Sequence, residues 1–215
     1  TVSLMGNFGE VRLGRDYTPQ CWNVTTFDPF GYNGVGNVVF NAVTGRTLAG
    51  PTAVRASNSI AYHAPANLGG FYGTAMYHMG ENVKDGAATE KSGDGMGFRV
   101  GYAAGPIDAA VAYTETKITN NEKIKSFNLG GSYDLGMAKL MALYSQDKNS
   151  LAGRADGEGF LIGGLVPVGA GQVRLAYSTY KNDNAIGADP KVNKYSLGYV
   201  HNLSKRTALY ATYAH

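Results

Sequence analysis

Residues 98–113 read FRVGYAAGPIDAAVAY, and this stretch decides the predicted fold. Its large apolar and aromatic residues share one parity on either side of the segment AlaAlaGlyPro at 103–106: Phe98, Val100, Tyr102, Ile107, Val111 and Tyr113. The opposite parity carries Arg99 and Asp108. Alternation with a period of two residues is typical of a strand with one apolar face, and Gly-Pro marks a turn. The stretch therefore predicts a β-hairpin.

The same alternation recurs from Val2 to Tyr213 and predicts about twelve strands and no amphipathic helix. Short turns such as 103–106 alternate with longer polar segments such as 80–95 and 146–158. Antiparallel outer-membrane barrels have short turns at one end of the strands and long loops at the other. A β-sandwich has no reason to keep this asymmetry, so the predicted fold class is all-β, an antiparallel transmembrane β-barrel.

The placement of charge supports a sheet whose apolar face is on the outside and whose polar face is on the inside. Between positions 54 and 180 the apolar parity is almost free of charge, and the charged or ionisable residues lie on the other parity: Arg55, His63, His78, Arg99, Asp108, Lys139 and Arg174. A barrel with a wet lumen is apolar outside and polar inside. Several tyrosines on the apolar parity, such as Tyr102 before a short turn and Tyr144 before a long segment, fit interfacial aromatic belts. Cross-strand aromatic pairing in an ordinary sheet is the alternative.

Composition permits this fold without requiring it. The chain has 215 residues, a net charge of +3 and 16% charged residues, against roughly 25% in a typical soluble domain. It has no apolar run of the ~20 residues that a transmembrane helix needs. A single cysteine, Cys21, excludes an internal disulfide framework.

One long connection, Asp16 to Arg55, interrupts the alternation. It contains three prolines, and its aromatic residues need a surface to pack against, among them Trp22, Phe27, Phe30, Tyr32 and Phe40. Connections longer than about 12–15 residues are usually functional or disordered. We expect this one to fold inward and narrow the bore of the barrel.

Six segments carry a family resemblance: NFGEVRLGRDYTP at 7–19, SIAYHAPANLGGF at 59–71, GYAAGPI at 101–107, LGGSYDLGMAKL at 129–140, VPVGAGQVRLAY at 166–177 and LGYVHNLSKRTALYATYAH at 197–215. The chain resembles the general porins of Gram-negative β-proteobacteria, and it is similar to the anion-selective porins of the Comamonas and Acidovorax group. The resemblance implies a 16-stranded, homotrimeric barrel in the outer membrane, in contact with lipid and lipopolysaccharide. It also implies a constriction loop, residues 16–53 here, and strands missing before Thr1 and after His215. The whole chain, 1–215, is then one porin barrel domain, incomplete at both ends.

Five basic side chains are predicted to face the lumen: Arg12, Arg55, Arg99, Lys139 and Arg174. Glu10 and Asp108 oppose them, and an excess of cations in a pore favours anions. Arg55 is the strongest candidate, because it shares parity with Ser59 and Ala61 and the resemblance implies that the arginine of an R-A-x-N motif lines the constriction. The alternative is a wall arginine paired with Asp28 or Asp16 that anchors the loop.

Three further residues complete the candidate constriction. Arg15 lies near Arg12 at the end of the strand that feeds the loop, and one of the two is expected to reach the lumen while the other binds carbonyl groups. Within the loop, Asp28 is the one internal acid and Arg46 adds a positive charge.

Other chemistries have little support. His63 and His78 have no partner at metal-ligand spacing, and no motif for a nucleotide, a cofactor or a catalytic nucleophile is present. The sequence therefore predicts no enzyme, no cofactor, no metal and no nucleic-acid partner, but a water-filled channel for small hydrophilic solutes that prefers anions. A channel specific for particular organic or inorganic anions, and a soluble β-sandwich binding module or adhesin, remain as alternatives.

Overall fold

The computed structural model describes residues 1–39, 52–150, 156–184 and 187–215. In these ranges the chain forms one helix, α1 (Pro19–Phe27), and strands whose bounds follow in chain order. They are β1 (Val2–Gly6), β2 (Gly9–Tyr17), β3 (Arg55–His63), β4 (Phe71–His78), β5 (Gly95–Ala104), β6 (Ile107–Lys117), β7 (Lys123–Asp134), β8 (Lys139–Asn149), β9 (Asp156–Val168), β10 (Gly171–Asp183), β11 (Lys191–Ser204) and β12 (Thr207–Ala214).

All twelve strands belong to one antiparallel sheet, in which each strand pairs with its neighbours in the sequence. Residues 98–113 form the predicted hairpin, with Phe98 opposite Tyr113 and Val100 opposite Val111. The antiparallel all-β fold and the count of about twelve strands are therefore confirmed. In the part of the chain that the structure describes, β1 and β12 are the two edges of the sheet.

The two faces of the sheet have opposite character, as the alternation predicted. On the outer face, apolar side chains such as Ile60, Leu140 and Leu175 are 46–53% exposed. On the inner face, Ala61 and Leu161 are at most 1% exposed. Large apolar side chains in contiguous exposed patches mark a surface that meets something other than water, so the sheet is inverted relative to a soluble sandwich.

Aromatic residues also pair across strands on the outer face. Phe71 and Tyr102 have ring centroids 4.8 Å apart, and Phe98 and Tyr113 are 5.9 Å apart. Tyr113 and Tyr144 do not end their strands, because β6 continues to Lys117 and β8 to Asn149. The strands thus extend beyond the apolar band into the polar segments.

Shorter and longer connections alternate as predicted, but their lengths overlap, because 64–70 has seven residues and 118–122 has five. The reason is the extension of strands into sequence that looked like loop. The long connection also contains a helix, which was not expected. Within the described residues no helix has the length and apolar character needed to span a membrane.

The sequence gives no periodic signal for helix α1, because the buried face of the helix is partly polar. Thr18 occupies the N-cap position and its carbonyl accepts a hydrogen bond from the Trp22 N–H (3.0 Å), while Pro19 begins the first turn. Gln20 and Asn23 are buried with Phe27, so no apolar stripe of period 3.6 is visible. The helix ends before Asp28, whose extended conformation is the one favoured ahead of a proline.

The residues from 19 to 39, here called the inner segment, lie along the inner face and rest on glycines of alternate strands. This glycine seat comprises Gly97 in β5, Gly130 in β7, Gly163 in β9 and Gly198 in β11. A Cβ atom added to these glycines would lie 3.3 Å from Pro19, 2.1 Å from Phe27, 2.6 Å from Pro29 and 2.8 Å from Phe30, respectively. Because a side chain at these positions would occupy the space of the rings, the seat fixes the path of the inner segment.

A valine at Gly130 should displace Phe27, which is fully buried. Burial of a phenylalanine side chain stabilises by roughly 1.5–3 kcal/mol, so we expect Gly130→Val to release the inner segment while the sheet persists. Limited chymotrypsin digestion of the complete protein in detergent measures this as faster cleavage within 19–39. Gly131→Val is the matched control, because a Cβ atom there would meet its nearest neighbour at an ordinary 3.7 Å. Equal cleavage of both variants would contradict the role of the seat.

Candidate functional site

The base of the long connection is closed by hydrogen bonds between its two ends. The Thr18 N–H donates to the Val54 carbonyl (3.1 Å), and the Thr18 hydroxyl donates to the Ala53 carbonyl (3.2 Å). The Gln20 amide donates to the same Ala53 carbonyl (3.3 Å). The connection therefore leaves and rejoins the sheet at neighbouring points.

Asn23 joins α1 to the inner face of the sheet. Its Nδ2 donates to the Ala110 carbonyl (3.2 Å) and to Asn128 Oδ1 (2.7 Å), and Asn128 donates to the Gln20 carbonyl (3.4 Å). Asn23 is fully buried, where an unpaired amide would be costly. These contacts make an amide pair that holds α1 at one height on β6 and β7.

Arg99 completes this attachment from β5. Its Nε donates to Asn23 Oδ1 (3.0 Å), and its Nη2 donates to the Thr26 hydroxyl (2.9 Å) and the Tyr72 hydroxyl (3.3 Å). The guanidinium also lies 4.7 Å from the centroid of the Tyr72 ring. Tyr72 in turn donates to Asp108 (2.6 Å). The structure thus places Arg99 against the helix, half-buried, with its Nε and Nη2 donors bonded to protein atoms.

Asp28 organises the second half of the inner segment. Its carboxylate accepts hydrogen bonds from the backbone N–H groups of Phe30 (2.9 Å), Tyr32 (3.1 Å) and Val38 (2.9 Å). Asp28 is 2% exposed, and burial raises the pKa of this carboxyl group, whereas the three N–H donors and the charge of Lys194 act to lower it. Asp28 therefore stabilises the conformation of the inner segment, and its carboxyl group is buried.

Lys194 helps to hold the inner segment, although the sequence analysis did not predict this role. Its Nζ donates to the carbonyl (2.8 Å) and the side-chain oxygen (3.2 Å) of Asn37, which ties the inner segment to β11. The available signal was its position on the inward parity, two residues before the buried Ser196.

Arg12 lies on the inner face but is held by two carboxylates. Its guanidinium lies 2.9 Å from Glu10 and 2.8 Å from Asp16. Asp16 also lies 3.6 Å from His63 Nε2. The positive charge of Arg12 is therefore locally balanced. Arg15 is exposed and sits in β2 where the pairing with β3 shifts register.

Arg55 stands at the start of β3, but its face differs from the one predicted. The expectation that it shares a face with Ser59 and Ala61 is wrong, because the buried positions of β3 are 56, 59 and 61. Asn58 has a positive φ of 50°, and the β2–β3 register shifts here, so the alternation skips one residue. A local backbone irregularity of this kind leaves no periodic signal in the sequence.

Arg55 pairs instead with Tyr17. Its guanidinium carbon lies 4.4 Å from the centroid of the Tyr17 ring, and its Nη2 donates to the Tyr17 hydroxyl. Neither Asp28 nor Asp16 forms an ion pair with Arg55 within the described ranges. Arg55 also lines a cavity of about 570 Å³ with the face of α1 opposite the sheet.

Lys139 and Arg174 are brought together by the sheet. Lys139 in β8 and Arg174 in β10 are both register partners of Leu165 in the intervening β9, so they lie on one face. Both side chains are half-buried. Their separation of 35 positions in sequence hides this adjacency, since it depends on strand register. Arg46 falls in 40–51 and lies outside the described residues.

Other chemistry has no support in the described ranges. No group of three His, Cys, Asp or Glu residues there could hold a metal ion. His63 and His78 contact wall atoms: His63 Nδ1 lies 3.0 Å from the Thr74 hydroxyl, and His78 Nδ1 lies 2.7 Å from the Gly93 carbonyl. Burial raises the pKa of Cys21 to about 11, so its thiol is protonated at neutral pH and is a poor nucleophile.

Comparison with known proteins agrees with this arrangement. The profile of the Gram-negative porin family matches residues 1–215. Outer membrane porin protein 32 of Delftia acidovorans is 39% identical over 224 residues, which cover 100% of this chain and 62% of that protein. The anion-selective porin from Comamonas acidovorans superposes with a TM-score of 0.85 at 37% identity, over 99% of this chain and 64% of that one.

A more distant structure shares the fold alone. The trimer form of OmpT, an outer membrane protein of Vibrio cholerae, has a TM-score of 0.75 at 16% identity and is matched over 99% of this chain and 68% of its own. The chain thus spans less than two thirds of the length of its more similar relatives. Its inverted sheet, its inner segment and the match over every residue lead to one conclusion: the chain belongs to the Gram-negative porin family.

Proposed function

We propose that the complete protein is an outer-membrane channel through which small hydrophilic solutes diffuse passively, with anions preferred. Its outer face contacts lipid and lipopolysaccharide, the barrel closes with sixteen strands, and three copies form a homotrimer. Support comes from the family, from the names of the relatives and from the trimer form recorded for a structure of the same fold. Passage follows the gradient of the solute, so the function needs no turnover and no cofactor.

The observation that carries the anion preference is the different state of the positive and negative charges on the inner side. Glu10 and Asp16 are both bound to Arg12, and Asp28 is buried under three N–H donors. In contrast, Lys139 and Arg174 on the inner face, and Arg55 at the cavity beside α1, have no carboxylate within 4.0 Å among the residues that the structure describes. Their charge is left to act on ions in the lumen.

The inner segment supplies the size limit. Residues 16–53 act as the constriction loop, and their described part is fixed by the glycine seat, by Arg99 and by Lys194. A segment held at both ends by buried polar contacts keeps one position, so the bore is of fixed width. Arg55 and Arg46 belong to the constriction in this proposal, with Arg12 and Asp28 as balanced or sequestered charges. Arg15, Lys139 and Arg174 shape the field along the wall.

The charge of Arg55 should be measurable as selectivity. Two unit charges 4 Å apart in water interact by about 1 kcal/mol, so Arg55→Ser should lower the ratio of chloride to potassium permeability by up to roughly fivefold. The reversal potential across a planar bilayer under a potassium chloride gradient measures this ratio.

Arg206→Ser is the matched control for Arg55→Ser. It removes the same charge from the exposed turn between β11 and β12, at the opposite end of the strands from the loop. We expect its reversal potential to stay at the value of the unaltered protein. An equal loss in both variants would show that Arg55 has no special position, and a cation preference of the unaltered protein would overturn the proposed function.

Arg99 should act on the size limit through the position of α1. Arg99→Lys keeps the charge but loses the three donor contacts to Asn23, Thr26 and Tyr72. We therefore expect Arg99→Lys and Arg99→Gln to admit larger sugars in liposome-swelling assays by a similar increment. If Arg99 acted through its charge alone, Arg99→Lys would keep the original cutoff and only Arg99→Gln would differ.

A further inference from the structure

The cavity beside Arg55 combines one cation with aromatic rings. Its volume is about 570 Å³, within the roughly 300–1,000 Å³ of small-molecule sites. Three aromatic residues line it, Tyr17, Trp22 and Tyr32, and Arg55 is the charged residue among its described lining. No aspartate or glutamate belongs to that lining. A solute in this cavity would meet positive charge and ring surface together.

The guanidinium of Arg55 is held in one orientation, but not all of its N–H donors are used. Stacking at 4.4 Å on Tyr17 and the hydrogen bond to the Tyr17 hydroxyl fix its plane. A guanidinium has five N–H donors, and it binds a carboxylate with two parallel hydrogen bonds. One donor contact to Tyr17 leaves an edge of the group for an incoming carboxylate, and the exposed position of Arg55 makes that edge accessible.

Tyr17 and Trp22 present an aromatic pair next to that edge. Tyr17 and Trp22 are in edge-to-face contact, with centroids 5.5 Å apart and planes at 68°. Tyr32 lines the same cavity from the inner segment, where Asp28 fixes its backbone. A planar apolar group is the complement of such rings, because aromatic rings prefer stacked or edge-to-face contacts with one another.

Polar groups complete the lining at the rim. Thr25, Asn33 and Asn37 also line the cavity. Amide and hydroxyl groups hydrogen-bond hydroxyl substituents without adding charge. Inorganic anions would bind Arg55 without a ring to place against the aromatic residues, whereas a benzoate-like anion would contact both.

From this geometry we infer that the cavity is a binding site for aromatic carboxylates, with the carboxylate on Arg55 and the ring between Tyr17, Trp22 and Tyr32. The inference rests on the proposed function, because the site lies on the path through the channel. Binding there retards the solute and competes with chloride. A well-placed ring pair is worth roughly 2- to 12-fold in affinity, so the preference over a non-aromatic acid of equal charge should be of that size.

The test uses the complete protein in a planar bilayer carrying chloride current. Sodium benzoate is the probe, and sodium cyclohexanecarboxylate, with the same charge and a ring without π electrons, is the comparison. We expect benzoate to reduce the current at a several-fold lower concentration. Equal half-blocking concentrations for the two acids would overturn the inference.

Variants assign the effect to the cavity. Trp22→Leu should remove most of the discrimination between the two acids, and Trp22→Phe should retain it. Arg55→Ser should weaken block by both acids alike. Phe127→Leu, which removes an aromatic ring from the outer face, should leave both half-blocking concentrations unchanged. Tyr32→Leu is a second variant of the aromatic lining should Trp22→Leu not fold, and no loss of discrimination in the variants of this lining would refute the site.

Failure of this inference is distinguishable from failure of the proposed function. The reversal potential in potassium chloride alone reports whether the channel prefers anions. Anion preference with equal block by both acids would leave the channel function intact and reject the aromatic site. Trp22 provides an independent readout, since it is the single tryptophan of the sequence. We expect benzoate to change a fluorescence signal that is missing from Trp22→Phe, and cyclohexanecarboxylate to change it less.

Discussion

The packing of the inner segment on the inner face is the constraint on which the rest of this structure depends. A sheet whose apolar side faces outward has a polar inner side, so a chain crossing that side must satisfy buried backbone and amide groups. The molecule does so with close contact at the glycine seat and with the Asn23–Asn128 amide pair. Bare glycines let the rings of Phe27 and Phe30 approach the sheet, and the amides fix the height of the helix.

This packing sorts the charged residues into two groups. Arg99, Lys194 and Asp28 are drawn into contacts that hold the segment, and Arg12 is balanced by neighbouring carboxylates. Arg55, Lys139 and Arg174 have no carboxylate partner among the described residues. The basic residues that hold the segment and those without a carboxylate partner are therefore different residues, although the sequence presents all of them as similar inward-facing charges.

The same packing creates the aromatic cavity. Because one side of α1 lies on the sheet through Asn23 and Phe27, the other side, with Cys21, Trp22 and Thr25, faces away from it. The chain rejoins the sheet at Arg55, close to Tyr17, and this closure places a cation beside the rings. The Arg55–Tyr17 pair thus lies where the loop ends, close to the hydrogen bonds that secure its base.

The sequence by itself determined the strands, their antiparallel order and the inverted faces. Alternation is a local property, because each residue of a strand faces one side according to its parity, and lipid and water select different side chains. Tertiary structure alone decided the helix at Pro19–Phe27, the face of Arg55 and the adjacency of Lys139 and Arg174. These features depend on contacts between distant positions and on one irregular residue, Asn58, and neither leaves a periodic trace in the sequence.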